Sequence, residues 1–245
     1  TQRRNAGELQ FDRIIIETTG LANPGPVAQT FFVDEEVGLH YMLDAVVTVV
    51  DAKHGMMQLD EHEEAQRQIG FADKILLSKA DLVSTEELAL LKSRIIKMNP
   101  RAPIKAVDFG KIAIDEVLDL KGFNLNAKLE LDPDFLAADD AHHEHDHHHD
   151  AHCEEHCTHT QHDHHHAHHS DDVAAFVYKT IRPFNTEKLD YFLGGLVQVY
   201  GPRMLRYKGV LYMEHADRKV IFQGVHQIMG TDIGGKWGED ETKES

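Results

Sequence analysis

Residues Ala72–Val83 read ADKILLSKADLV, and this stretch decides the fold. An apolar run, Ile75–Leu77, passes directly into Ser78, Lys79, Ala80 and Asp81. Hydrophobicity that is continuous rather than alternating marks a strand covered on both faces, as in a parallel sheet. Working outward, similar runs precede it at Ile14–Ile16, ending on Glu17, and at Val46–Val50, ending on Asp51. Helical segments are expected between them at Pro26–Phe32 and Asp60–Phe71. Another helix is expected over Glu86–Met98. Ser84 and Glu87 form a capping box before it, Leu88, Leu91, Ile95 and Met98 make one stripe along it, and Asn99-Pro100 stops it. Ile104–Val107 supplies a further strand. Strands alternating with helices predict an α/β domain with a mostly parallel sheet.

The pattern changes after residue 172. Ala174–Ile181 reads as a strand closed by Arg182-Pro183. Thr186–Tyr200 is amphipathic, with Leu189, Phe192, Leu193 and Leu196 at helical spacing, Thr186 as N-cap and Gly201-Pro202 as the stop. Met204–Met213 and Val220–Ile228 read as strands joined by a turn at His215–Arg218. This predicts a small α+β unit with a helix on an antiparallel sheet. His226 falls on the second of these strands and reads as a core or cross-strand residue. Arg203, Arg206 and Lys208 read as a solvated basic face.

The chemistry is expected at the strand exits. Glu17, Asp51 and the run Ser78–Asp81 each follow an apolar strand. One polar exit alone is ordinary, but three together mark a crevice at the carboxyl edge of an open parallel sheet, where ligands bind. Ser-Lys-Ala-Asp resembles the guanine-specificity motif of P-loop GTPases, Asn-Lys-x-Asp. The Asp81 carboxylate can accept from both the ring N–H and the exocyclic amine of guanine, a pair adenine lacks, while the Lys79 stem lies along the base. Ser78 in place of Asn weakens or removes an amide contact. Glu17 with Gly20 resembles the E-x-x-G of P-loop NTPases, in which a strand-end carboxylate serves Mg²⁺ and a glycine lets a backbone N–H approach the γ-phosphate.

Residues 139–172 have a different composition. Fifteen of the twenty histidines lie between His142 and His169, together with both cysteines. The stretch has ten Asp or Glu and no Lys or Arg, so it supplies −10 of the chain's net charge of −17. The remaining −7 carries no basic footprint for nucleic acid. With little to bury, the tract cannot form a core, and a disordered linker is expected. Imidazole and thiolate are ligands for zinc and its first-row neighbours. The candidate metal ligands are His147, His148, His149, His152, Cys153, His156, Cys157, His164, His165 and His166. His152, Cys153, His156 and Cys157 form adjacent i,i+4 pairs if the tract turns helical. No apolar run is long enough to span a membrane. Cysteines four apart in such a tract read as metal ligands rather than a disulfide framework, so a reducing cytoplasm is expected.

FDRIIIETTGLANP (Phe11–Pro24), VVTVVDAKHG (Val46–Gly55) and ADKILLSKADLV together resemble the CobW family of metal-handling P-loop GTPases. RYKGVLYM (Arg206–Met213) and FQGVHQIMG (Phe222–Gly230) resemble that family's C-terminal domain. The resemblance implies residues 1–125 as the later part of a P-loop GTPase domain, 126–172 as a His-rich metal-binding linker, and 173–245 as a CobW-like C-terminal domain. The polar opening at Thr1 and the abrupt end read as cuts inside domains, upstream of which the family's Walker A loop and C-x-C-C metal motif would lie. The resemblance also implies GTP and Mg²⁺ as cofactors, zinc or else cobalt as the metal, and a client metalloprotein as partner. It puts catalytic roles on Glu17 and Gly20 and nucleotide binding on Ser78, Lys79, Asp81 and Asp51. Neither nucleic acid nor membrane is an expected partner, and homo-oligomerisation is left open. The rival readings are a non-catalytic metal buffer using the His-rich tract, and a module that only docks a metalloenzyme.

Overall fold

A computed structural model describes residue 3 and residues 6–123, 171–239 and 241–245. Its first sheet contains β1 (Val47–Asp51), β2 (Lys74–Ser78) and β3 (Ile104–Ala106), parallel and in that order. Asp51 lies opposite Ser78 in the ladder, so the polar ends of β1 and β2 finish side by side. β2 is central and buried on both faces, and Ile75 and Leu77 have no exposed surface. On β1 the faces differ: Thr48 and Val50 are buried while Val49 is open.

The helices between the strands are α1 (Pro24–Val33), α2 (Glu35–His40), α3 (Gly55–Glu61), α4 (Glu63–Phe71) and α5 (Thr85–Met98). The expected single helix over Asp60–Phe71 is broken at His62, which caps the end of α3 and the start of α4. α5 follows its sequence signals. Ser84 Oγ accepts from Glu87 N–H at 3.2 Å, and Glu87 Oε2 accepts from Ser84 N–H at 2.8 Å. Its stripe buries Leu91, Ile95 and Met98 against Ile69, Ile75 and Leu77. Asn99 ends the helix, and its amide donates to Ile69 O and Ala72 O, fixing the end of α4. Gly55 opens α3 where a Cβ would stand 3.1 Å from Val50 and 3.2 Å from Leu91, so the absent side chain permits close packing on β1.

Ile14–Ile16 is not a strand. It joins no ladder, and its residues are half or more exposed. A doubly covered parallel strand needs a hydrogen-bonding neighbour and a layer on each face, and the described residues place neither beside this run.

The second unit packs α6 (Thr186–Tyr200) on an antiparallel sheet of β4 (Arg206–Leu211), β5 (Arg218–Val225) and β6 (Ile228–Lys236). Leu189 and Leu193 of α6 meet Leu211, Met213, Val220 and Phe222. The N-cap is Asn185 rather than Thr186, with Asn185 Oδ1 accepting from Lys188 N–H. Ala174–Ile181 is exposed and unladdered, except that Thr180 and Ser245 exchange backbone hydrogen bonds at 2.9 and 2.8 Å. The expected strand Val220–Ile228 instead turns at His226 and Gln227, and β6 returns beside it.

The units meet around Asp73, just before β2. Arg206 Nη1 donates to Asp73 Oδ2 at 2.7 Å, and Lys208 Nζ lies 3.5 Å from Oδ1. Arg206 also covers the Phe123 ring at 3.6 Å. Arg206 and Lys208 are therefore not a solvated face: a buried carboxylate requires cations close by. His226 is not a cross-strand residue either. It sits in the β5–β6 turn with its ring edge-on to Phe71 at 5.6 Å and close against Gly25 of α1.

Candidate nucleotide site

Ser78 ends β2 with its Oγ donating to Val50 O at 3.1 Å, which ties the two strand exits together. The chain then reverses at Lys79, whose φ of 55° and ψ of 30° place a non-glycine residue in the left-handed region. Leu82 N–H donates to Lys79 O at 3.1 Å and closes the single 3₁₀ turn Ala80–Leu82, which carries Asp81. Asp81 is exposed and its carboxylate has no hydrogen bond or ion pair among the described residues. An unengaged carboxylate at a strand exit is able to accept from a ligand.

Asp51, across the ladder, is fully engaged. Its Oδ1 accepts from Lys53 N–H at 2.9 Å and His54 N–H at 3.2 Å. Its Oδ2 accepts from His54 Nδ1 at 3.0 Å and Lys79 Nζ at 2.6 Å. Burial raises the Asp51 pKa, but the hydrogen bonds from Lys79, His54 and the backbone outweigh it and hold the carboxyl well below its ordinary range. The ionised Asp51 can only accept, so His54 Nδ1 is the donor in this contact.

Asp51 and Lys79 are thus in direct contact, Ser78 lies opposite Asp51 in the ladder, and Asp81 follows within the same turn. Glu17 and Gly20 are not brought into contact with them. Glu17 is exposed, and its carboxylate is unengaged among the described residues. Gly20 is held elsewhere: the Gln68 amide donates to Gly20 O at 3.0 Å and to Ala22 O at 2.9 Å. Thr48 Oγ1 donates to Gln68 O at 2.9 Å, so this clamp is mounted on β1 three residues before Asp51. Gln68 was not among the residues the sequence singled out. Its position in a helical Glu/Gln-rich segment gave no sign that its amide would reach a loop 46 residues away in the chain.

The proposed metal ligands, His147 to His149, His152, Cys153, His156, Cys157 and His164 to His166, lie outside the described residues. Among the described residues no cluster of three or more His, Cys, Asp or Glu is arranged to hold a metal ion. No helix there is long and apolar enough to cross a membrane. The tract's downstream flank is anchored: buried Arg94 on α5 donates to Asp171 Oδ1 at 2.6 Å and to Asp60 Oδ1 at 2.7 Å.

Residues 2–106 match the CobW/HypB/UreG nucleotide-binding domain. Residues 173–245 match the cobalamin synthesis protein CobW C-terminal domain. The chain is 31% identical over 236 residues to the zinc chaperone YjiA of Escherichia coli K12, covering 96% of this chain and 65% of that protein. It is 42% identical over 116 residues to zinc-regulated GTPase metalloprotein activator 1 of Schizosaccharomyces pombe, covering 46% of this chain and 28% of the relative. The crystal structure of Zn(II)-bound YjiA GTPase from E. coli superposes with a TM-score of 0.75 at 29% identity, over 99% of this chain and 67% of that one. The chain therefore spans less than two thirds of the length of these curated relatives. Both domain types and the shared fold place it in one lineage: the chain belongs to the CobW family of nucleotide-binding proteins.

Proposed function

We propose that the intact protein is a GTP-dependent metallochaperone that takes up zinc, with cobalt as the second choice, and delivers it to a client metalloprotein. GTP hydrolysis drives the release. The observation that carries this reading is the β1–β2 carboxyl edge, where Ser78 and Lys79 are fixed by contacts and Asp81 has no partner among the described residues. Asp81 accepts from the guanine N–H pair and Lys79 lies along the base. The relatives named zinc chaperone and zinc-regulated GTPase metalloprotein activator 1 support the same assignment.

Mg²⁺ fits Glu17, whose carboxylate is exposed and unengaged among the described residues, and does not fit Asp51, whose oxygens are already occupied. An ion held there would supply positive charge to offset that of the phosphates. Glu17 would hold it, and Gly20 would allow a backbone N–H to come close to the γ-phosphate. Residues 126–172 form the metal-capturing linker between a GTPase unit, 1–125, and a C-terminal unit, 173–245. The histidines and cysteines named above are its ligands, and the reaction takes place in the cytoplasm. Zinc is cargo in this scheme, and nucleotide state sets whether it is held.

GTP hydrolysis by the full-length protein, measured with and without zinc, tests this reading. Zinc should change the turnover rate or the GTP affinity. A protein that binds zinc while its GTP binding and hydrolysis stay the same would be a buffer.

A further inference from the structure

The sequence suggests Asp51 as a residue that touches the nucleotide or its metal, because it ends a strand at the ligand edge. Its hydrogen bonds argue otherwise. A carboxylate offers about four lone-pair directions. Asp51 has each of its two oxygens in two contacts, to Lys53 N–H and His54 N–H on Oδ1 and to His54 Nδ1 and Lys79 Nζ on Oδ2. None is left for a phosphate-bound ion or a base without breaking a contact. The acid is also mostly covered, with about a fifth of its side chain exposed, whereas half of Lys79 is open.

Lys79 gains the most from this arrangement. Its backbone is in the left-handed region, a conformation that a non-glycine residue keeps only when its surroundings impose it. Its ammonium is held 2.6 Å from Asp51 on the neighbouring strand. The four-carbon stem therefore runs from β2 to β1 across the carboxyl edge instead of sampling solvent. A lysine side chain has many rotamers to lose, and ordering it before the ligand arrives removes that entropic cost from binding.

We propose that Asp51 is a positioning residue of the guanine site that acts only through Lys79, by holding the ammonium so that the stem is laid out for the purine before it binds. This rests on the reading in which Ser78–Asp81 receives guanine. It assigns Asp51 no contact with nucleotide or Mg²⁺. Asp51 therefore favours GTP and GDP equally, because it acts at the base and not at the phosphates.

A double-mutant cycle in the full-length protein tests this, with GTP and GDP affinities measured by fluorescence titration. Asp51→Asn keeps an oxygen for the Lys53 and His54 N–H groups and weakens the hold on Lys79. It should lower affinity for both nucleotides about five-fold, the upper range for a half-exposed ion pair. Lys79→Met should lower it at least as far. Adding Asp51→Asn to Lys79→Met should then change affinity less than two-fold, since the first substitution has already removed the coupling. Multiplying losses in the double variant would overturn the proposal. So would a loss confined to GTP with Mg²⁺, or loss of all nucleotide binding by Asp51→Asn while Lys79→Met still binds. Asp81→Asn separates the two levels of failure: if it leaves guanine preference intact, the guanine-site reading itself is wrong, whatever the cycle returns.

Discussion

At the scale of single residues, charges are placed where a partner fixes them. Asp51 has a depressed pKa, so the stability it contributes is present above its unfolded value and lost as pH falls through the folded one. The melting-temperature difference between the wild-type protein and Asp51→Asn should therefore hold steady from neutral pH down to about 4, the ordinary aspartate value, and close only below that. A difference that vanished between pH 7 and 5 would contradict the assignment. Asp73 presents a harder case, because it is buried with Arg206 and Lys208 as its cations. Burial opposes its ionisation, yet the charge of Arg206 and then of Lys208 keeps its pKa low. Arg206→Ala leaves a carboxylate with one weaker partner and should cost about 3–5 kcal/mol in denaturant unfolding. A cost under ~1 kcal/mol, typical of an exposed pair, would show that Asp73 is solvated in solution. Arg206 and Lys208 could not be read correctly from sequence. A basic cluster looks the same whether it faces water or a carboxylate that folding brings from 133 residues away.

At the scale of elements, the outcome depended on how local the signals were. α5 was legible because its cap, stripe and stop all lie within the helix and its two flanking residues. β2 was legible because a short apolar run covered on both faces has one simple solution in an α/β chain. Removing part of the α5 stripe should be costly: Leu91→Ala or Ile95→Ala should destabilise by about 2–5 kcal/mol, while Ser84→Ala should cost about 1 kcal/mol. Equal effects from cap and core substitutions in chemical denaturation would contradict this packing. Ile14–Ile16 shows the limit of the same reasoning. Its pattern matches that of Ile75–Leu77, but strand formation depends on a neighbour, and sequence pattern does not report one. β6 failed for the opposite reason. Its Gly230, Gly234 and Gly235 dilute the apolar alternation, and His226–Gln227 lacks the Asn-Gly or Asp-Gly signal of a tight hairpin. Asp51, Ser78, Lys79 and Asp81 could be placed at one edge from sequence because strand register carries them there. The Asp51–Lys79 contact and the Gln68 clamp could not, since they depend on side-chain reach across elements.

At the scale of the whole molecule, the two units are joined by a shared cluster rather than a bare linker. Ala28, Phe71, Phe123 and Val225 pack together, and Gln223 donates to Phe123 O at 3.0 Å. Phe123 and Asp171, which flank the His-rich tract, are both tied to folded structure. Zinc uptake by the tract should weaken below about pH 6.5, as imidazoles protonate and compete with the metal. Equilibrium zinc titration of the full-length protein at pH 7.5 and 5.5 checks this, and equal affinities at both would point to ligands other than histidine. Recognition of guanine by Asp81 is the claim on which the proposed chaperone cycle depends. Its most direct measurement is the affinity of full-length Asp81→Asn for GTP and for xanthosine triphosphate, whose ring carries a carbonyl where guanine has its amine. An asparagine amide donates to that carbonyl, so preference should pass from GTP to xanthosine triphosphate. Unchanged preference for GTP would place the base somewhere other than the Ser78–Asp81 turn.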